Sequence, residues 1–363
     1  GDNVLELNNG TTHTSNLQYR DLYVEEGDVK LTQQYSNVGY LHIRGNRLDM
    51  NGKNLTLGTV YAEDGAYIDA SVSGSGFGGT SALRATSGTV TLDNGGNNVT
   101  LAGVVSATNG ATMKLTGSGK WNLTGSAYNS SSGTLRIENA TQLDFTYGNK
   151  GTYTYYDAFD IMSGILDLDT DIQTLQAASD KVSQHMTFET IKLNGQHLTL
   201  KEKSKSATWI ISNLDSGTIS GSTLTWEASQ SNQAQYADRE SSKVTQYPTV
   251  TNASRLILNG DNEFNGSVVA KRTANASGFS TFVELAHDNA LKNATLDMQS
   301  ISGSTIALAI NTINAKIKGL TGDENAYAYS GASSDIKLDS AREGDGKNTL
   351  TITGSERYNY KGA

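Results

Sequence analysis

The chain has 363 residues, of which 148 are Ser, Thr, Asn or Gly, and its formal net charge at pH 7 is -9. It contains no cysteine, so disulfide scaffolds, thiol nucleophiles and thiolate metal sites are excluded. The excess of acidic residues disfavours nucleic-acid binding, and no apolar run reaches the roughly 18 residues of a membrane-spanning helix. No basic-then-apolar targeting segment opens the sequence, so we expect a soluble chain from which any export signal has been removed.

Short strands separated by turns account for residues 1–145. In each of them two apolar side chains flank a polar one, as in residues 41–43 (Leu-His-Ile) and 90–92 (Val-Thr-Leu). Glycine-containing turns such as Asn51-Gly52 separate these strands about every ten residues. The pattern predicts an all-β protein.

An internal repeat indicates how these strands are arranged. Residues 48–57 recur as residues 92–101, an offset of 44, and the match continues from residues 62–68 into residues 107–113 with one inserted residue. A period of 44 divides into two coils of roughly 22 residues, which is the size of a stacked β-solenoid rung. We therefore predict a β-solenoid with a 44-residue double-rung repeat over 1–145.

A second recurring phrase combines a strand, a glycine corner and an aromatic residue. It occurs at residues 121–128, 256–266 and 350–362. Together with residues 283–296 it resembles the repeat of passenger domains from Gram-negative autotransporters. This resemblance implies a right-handed parallel β-helix, carried outside the cell by a C-terminal outer-membrane barrel that would follow in the full-length protein.

The middle of the chain departs from this pattern. Apolar residues at helical spacing predict one short helix over 169–186. Residues 227–246 are polar and lead to the single proline, Pro248, which is typical of a long loop. We predict an irregular β region over 146–247 and a second β-solenoid run over 248–363, truncated at its C-terminal end.

Asp215 is the candidate catalytic residue. It lies in residues 214–218 (Leu-Asp-Ser-Gly-Thr), which resemble the active-site phrase of aspartic proteases. That chemistry needs two aspartates that share one proton, so a second copy would have to come from a homodimer. The alternative is an Asp-Ser-Gly turn between strands.

Asp167, Asp169 and Asp171 are the candidate metal ligands. On a strand they would share one face, and three carboxylates suit a hard cation such as Ca²⁺. However, a helix-loop-helix calcium loop beginning at Asp167 would need Gly at position 172 and Glu at position 178, where the chain has Ile and Ala. The alternative is a solvated strand edge, and we expect no other cofactor.

An aromatic cluster at the start of the irregular region 146–247 is the candidate ligand-binding site. Flat rings stack on sugar faces while neighbouring carboxylates bond hydroxyls, although the same rings could pack on a core face. The five histidines show no metal or triad spacing. The cluster consists of Tyr147, Tyr153, Tyr155, Tyr156 and Asp157.

Two functions remain open at this point. The resemblance favours a surface-exposed or secreted, non-enzymatic adhesive solenoid at the outer membrane of a Gram-negative bacterium, binding a host surface glycoprotein or glycan. The alternative is a hydrolase of surface glycoproteins, either an Asp215-dependent protease or a polysaccharide-cleaving β-helix.

Overall fold

The structure is a computed structural model, which describes the chain in segments. Within them the chain forms strands and turns, so they contain no helix with the length and apolar character of a membrane span. The described residues are 4–7, 21–25, 27–32, 35–78, 82–124, 133–139, 142–145, 160–168, 174–177, 184–202, 207–228, 235–236, 250–251, 254–273, 279–301, 305–310, 312, 314–323, 326–329 and 349–355.

The chain divides into two units. Unit 1 comprises Gly1–Lys150 and Asp160–Leu175, and unit 2 comprises Gly151–Phe159 and Gln176–Ala363. In each unit successive strands stack in parallel on the strand one coil earlier, so both are parallel β-solenoids. The prediction of a parallel β-solenoid from repeats and alternation is therefore confirmed.

The first sheet of unit 1 receives one strand from each coil. Its strands are, in stacking order, β1 (Val4–Leu7), β3 (Asp28–Leu31), β5 (Arg47–Asp49), β7 (Tyr67–Asp69), β10 (Thr89–Asp93), β13 (Thr112–Thr116), β15 (Thr134–Ile137) and β17 (Asp160–Leu168).

The second sheet of unit 1 has two rows that share the long strands β4 (Tyr35–Ile43) and β6 (Asn54–Ala62). Row one adds β8 (Gly76–Phe77), β11 (Val99–Leu101), β14 (Lys120–Leu123) and β16 (Gln142–Phe145). Row two consists of β2 (Asp21–Val24), the second halves of β4 and β6, β9 (Ala82–Ala85) and β12 (Val105–Ala107).

Strand register accounts for the 44-residue offset. Leu48 of β5 lies opposite Ile68 of β7, which lies opposite Leu92 of β10, so two coils of 20 and 24 residues separate Leu48 from Leu92. All three side chains are buried. Burying each contributes roughly 1.5–3 kcal/mol, and the same inward positions recur in every coil.

Unit 2 also has two parallel sheets. The first contains β19 (Gln184–Lys192), β21 (Ala207–Asp215), β25 (Ser254–Leu258), β27 (Phe279–Leu285), β29 (Thr305–Ile310) and β31 (Ala326–Tyr329). The second contains β20 (His197–Glu202), β22 (Thr223–Ala228), β26 (Ser267–Arg272), β28 (Leu291–Gln299), β30 (Asn314–Gly322) and β32 (Thr349–Ile352). The remaining strands are β18 (Thr174–Ala177), at the division between the units, and the antiparallel pair β23 (Gln235–Tyr236) and β24 (Val250–Thr251).

Aromatic side chains fill the core of unit 2. The indoles of Trp209 and Trp226 are fully buried, and the ring of Phe188 stacks on Trp209 at 6.1 Å between centroids. These residues alternate with outward positions along their strands, as expected for a two-residue period.

The helix predicted over 169–186 is wrong. Thr174–Ala177 and the segment beginning at Gln184 are strands. Met186 and Phe188 both point inward, which is a two-residue period, and β19 pairs in register with β21 from Gln184 to Lys192. The hydrogen bonds of this pairing outweigh the helical spacing of the apolar residues, because tertiary context routinely overrides local propensity.

Candidate functional site

Row two of unit 1 carries an exposed column of rings, which we call the aromatic ladder. Tyr23, His42 and Tyr61 lie opposite one another on successive strands. The ring centroids of Tyr23 and His42 are 4.3 Å apart, and those of His42 and Tyr61 are 4.9 Å apart, with interplanar angles of 13° and 18°. Tyr40 lies beside them, its ring 5.9 Å from that of Tyr61 and tilted by 38°.

The alternation of these strands explains the ladder. The neighbours of the rings along the chain, such as Leu41, Ile43 and Val60, point inward and are buried. The intervening side chains must then point outward, and parallel in-register pairing places them directly above one another. A residue every 19 positions, at 23, 42 and 61, thus becomes a stack of three rings.

The ladder is open to solvent. Tyr23 is 51% exposed and Tyr40 is 44% exposed, which places both among the exposed large hydrophobic residues of the described part of the chain. Because the stacked rings cover each other's faces, they present edges, phenolic hydroxyls and imidazole nitrogens to the outside. Ring edges carry partial positive charge, so they favour oxygen-rich partners. Tyr40, which is tilted out of the stack, offers a ring to a partner directly.

Charged side chains border the ladder on one side. Arg44 Nη1 lies 3.5 Å from Glu25 Oε1, and Arg44 Nε donates to Glu63 Oε1 at 3.1 Å. The next position of the ladder, opposite Tyr61, is the exposed Arg84. The surface therefore combines rings, hydroxyls, guanidinium groups and carboxylates over four successive coils.

No protein-family model, no curated protein and no solved structure matches this chain. The residues of the ladder and its surroundings are therefore the basis for the functional argument.

Asp215 is the last residue of β21, where the chain enters a corner. Its Oδ1 accepts a hydrogen bond from Gly217 N at 2.8 Å, and Gly217 has a φ of 67°. This is the geometry of an Asx turn. Unit 1 uses the same arrangement at Asp49, Asp69 and Asp93, whose Oδ1 atoms accept from the backbone nitrogen two residues later.

Two of these corner aspartates, Asp69 and Asp93, also bond to the preceding coil. Arg47 Nη2 donates to Asp69 Oδ2, and Tyr67 Oη donates to Asp93 Oδ2 at 2.6 Å. Burial raises the pKa of Asp69, but the bonds from Ser71 and Arg47 outweigh it and hold that pKa below its ordinary value. Burial and the bond to Asp93 raise the pKa of the Tyr67 hydroxyl. One carboxylate thus closes its own turn and ties it to the coil below.

Asp167 of the predicted metal site is described, whereas Asp169 and Asp171 lie outside the described residues. Asp167 Oδ2 lies 3.8 Å from Arg136 Nη1, one strand away. The described residues contain no cluster of three or more His, Asp or Glu that could hold a metal ion. The Ca²⁺ site stays a prediction.

The predicted ligand-binding cluster, Tyr147, Tyr153, Tyr155, Tyr156 and Asp157, lies outside the described residues. Sequence reasoning missed the aromatic ladder, because it searched for rings close together in sequence and not at a fixed offset. The signal was present: an aromatic ring recurs every 19 residues, between aliphatic neighbours, at Tyr23, His42 and Tyr61.

Proposed function

We propose that this protein is a surface-displayed or secreted adhesive solenoid of the autotransporter-passenger type, and that the aromatic ladder binds host glycans or glycoproteins. The observation that carries the proposal is the exposure of Tyr23, in the stack of rings, and of Tyr40, beside it. Solvent-exposed tyrosine clusters are a common feature of binding surfaces, because they offer large contact area at low conformational-entropy cost.

Glycans fit the chemistry of this surface. Tyrosine hydroxyls, the imidazole of His42 and the carboxylates of Glu25 and Glu63 can all hydrogen-bond sugar hydroxyls. The apolar part of the tilted Tyr40 ring can pack on the C–H face of a pyranose. The ladder follows the stacking direction of the coils, so an extended chain of sugars could contact several rings at once.

The sequence supports the passenger-type part of the proposal. Residues 256–266 and 283–296 carry the phrase that resembles passenger repeats, and they overlap the parallel strands β25, β27 and β28. A chain without cysteine suits export in an unfolded state, because no disulfide has to form or be reduced.

A binding assay with an immobilised mucin-type glycoprotein tests the proposal. We expect the double variant Tyr40→Ala/Tyr61→Ala to lose at least about tenfold in affinity, because two central aromatic contacts are removed. Thr100→Ala, at an exposed outward position of row one, is the matched control and should bind like the parent chain. Mucin stripped of its glycans should bind weakly.

Equal binding by the double variant and the parent, with native circular dichroism for both, would rule out the ladder as the contact surface. Absence of binding to intact mucin and to a panel of immobilised glycans would contradict the adhesive function itself.

A further inference from the structure

Asn-Gly pairs recur at the corners of both units. The structure describes six of them, and a seventh, residues 9–10, lies outside the described residues. The backbone nitrogen of a glycine meets no side-chain obstruction when it approaches the amide of a preceding asparagine. The six described pairs are Asn51-Gly52, Asn94-Gly95, Asn109-Gly110, Asn194-Gly195, Asn259-Gly260 and Asn265-Gly266.

In three of these pairs a hydrogen bond restrains the backbone nitrogen of the glycine. Gly52 N donates to Ser75 Oγ at 3.1 Å, and Asn51 Nδ2 donates to Leu31 O at 2.9 Å. Gly195 N donates in the same way to Ser222 Oγ at 2.9 Å. The third pair is Asn94-Gly95, where Asn94 is fully buried and Gly95 N donates to Asp93 Oδ1 at 2.8 Å. In each pair the nucleophilic nitrogen is occupied.

Close packing of the backbone restrains two more of the Asn-Gly pairs. A Cβ on Gly260 would lie 1.5 Å from the carbonyl oxygen of Ser212, and a Cβ on Gly266 would lie 2.1 Å from that of Ser222. The backbone of both glycines is thus packed against a neighbouring coil and has no room to swing toward the preceding asparagine.

Asn109-Gly110 differs from the other five. Both residues are exposed, no atom lies within 4 Å of the Cβ position on Gly110, and no described residue bonds the Asn109 side chain or Gly110 N. One hydrogen bond, from Ala111 N to Thr108 O at 2.9 Å, closes the turn. Asn109 and Gly110, at the tip of this turn, can therefore change conformation without breaking a hydrogen bond to a neighbouring coil.

We propose that Asn109 is a site of spontaneous deamidation in the folded protein. Gly110 N, on losing its proton, forms a bond to the side-chain carbonyl carbon of Asn109. The bond from that carbon to Nδ2 then breaks, ammonia leaves and a cyclic imide remains. Water opens either carbonyl of the imide, giving aspartate or isoaspartate, so the net change is consumption of one water and release of one ammonia.

The turn at Asn109 can accommodate an aspartate, which is one product of the deamidation. Asp64 occupies the position equivalent to Asn109 two coils earlier, also followed by a glycine with positive φ, Gly65 at 79°. Asp64 Oδ1 there accepts a bond from Thr89 N at 2.8 Å. An aspartate is thus already used at this kind of turn, and deamidation of Asn109 adds one negative charge to the surface without disturbing a buried residue.

Peptide mapping of the folded full chain after incubation in mildly alkaline buffer tests the proposal. We expect Asn109 to convert at least about tenfold faster than Asn51 and Asn194, because their glycine nitrogens must first leave a hydrogen bond. In concentrated urea the pairs should convert at similar rates, since the fold no longer distinguishes them. Equal rates at Asn51 and Asn109 in the folded chain would overturn the proposal.

A matched variant checks the cause. Ser75→Ala removes the acceptor for Gly52 N, and we expect it to raise the conversion of Asn51 toward the rate of Asn109 while leaving Asn109 unchanged. If Asn51 stays slow in Ser75→Ala, and hydrogen exchange shows β7 and β8 intact, the bond from Gly52 N is not what slows Asn51, and the explanation of the selectivity by an occupied glycine nitrogen is wrong.

Discussion

Unit 1 and unit 2 are built from the same parallel coil, but row two of unit 1 and the first sheet of unit 2 differ in how far their outward side chains are exposed. In row two of unit 1 the outward Tyr23 and Tyr40 are about half exposed. On the first sheet of unit 2 the outward Ile257 is 0% exposed, and the outward Arg255 and Glu284 are buried with a 2.5 Å bond between Nη2 and Oε2. Outward orientation therefore does not decide exposure in this fold.

This difference in exposure gives the two outward faces different roles: the covered face serves folding stability, and the exposed face can serve recognition of a partner. A buried outward face contributes to folding through apolar area, and any charge there must be compensated. An uncovered outward face contributes less to folding and keeps its contact area available for a partner. The aromatic ladder belongs to the second kind, which is why we assign binding to it.

The largest effect is expected for Glu284→Ala. This change leaves the Arg255 guanidinium buried without its carboxylate, which destabilises unit 2 by about 3–5 kcal/mol. Glu25→Ala, which removes an exposed partner of Arg44, should cost no more than about 1 kcal/mol. Urea unfolding, followed by hydrogen exchange of β27 for Glu284→Ala and of β4 for Glu25→Ala, measures both. Comparable losses would contradict the contrast between the two faces.

A second pair compares apolar outward positions. Ile257→Ala should lower the free energy of unfolding by about 2–5 kcal/mol, because it leaves a cavity on a covered face. Tyr40→Ala should change it by less than about 1 kcal/mol, since that ring lies at the surface. Denaturant melts of each variant against the parent chain decide the matter, and a Tyr40→Ala loss as large as that of Ile257→Ala would show that the ladder is a structural element.

The third prediction concerns how the stability of unit 1 depends on pH. Asp69 has a lowered pKa in the folded state, so its stabilising contribution is complete above the ordinary carboxyl pKa and is lost as pH falls through the lower folded value. We expect protection of β7 from hydrogen exchange to weaken from about pH 4 downward. Asp69→Asn should already be destabilised by about 1–2 kcal/mol at pH 7, because it removes the charged partner of the half-exposed Arg47.

The control for this prediction is Asp64→Asn, at an exposed corner of the same unit. It should leave the acid profile of β7 close to that of the parent. An Asp69→Asn chain with the same loss of protection in acid as the parent would mean that other carboxylates govern the pH response of unit 1.

The smallest effect is expected for Tyr67→Phe, which removes the 2.6 Å bond to Asp93 and keeps the ring. The loss should be about 1 kcal/mol, because both groups remain partly accessible to water. Hydrogen exchange of β10 measures it locally. Mucin binding should be unaffected, because Tyr67 lies on the first sheet and not in the aromatic ladder.

The repeat and the alternation predicted the fold well. The offset of 44 residues and patterns such as Leu-His-Ile at 41–43 indicated stacked coils, because an inward side chain at one position requires inward side chains at the equivalent positions of every coil. The helix over 169–186 failed, since spacing alone cannot show that Met186 and Phe188 pair with a neighbouring strand.

The ladder was harder to predict, because its rings are 19 residues apart and meet only through register. A proline, a glycine corner or a catalytic phrase is visible within a few residues, whereas a column of side chains depends on the length of every intervening coil. The turn alternative for Asp215 was accessible from sequence, since Asp-Ser-Gly is a common turn, and the bond from Gly217 N has the geometry of that alternative.

The central claim, that the aromatic ladder is the contact surface, is tested most directly by hydroxyl-radical footprinting with and without a mucin-type glycoprotein. The account predicts that Tyr23, Tyr40 and Tyr61 become protected in the complex while Tyr67 keeps its labelling rate. If Tyr23, Tyr40 and Tyr61 stay as reactive as in the free chain at mucin concentrations that saturate binding, the claim is contradicted.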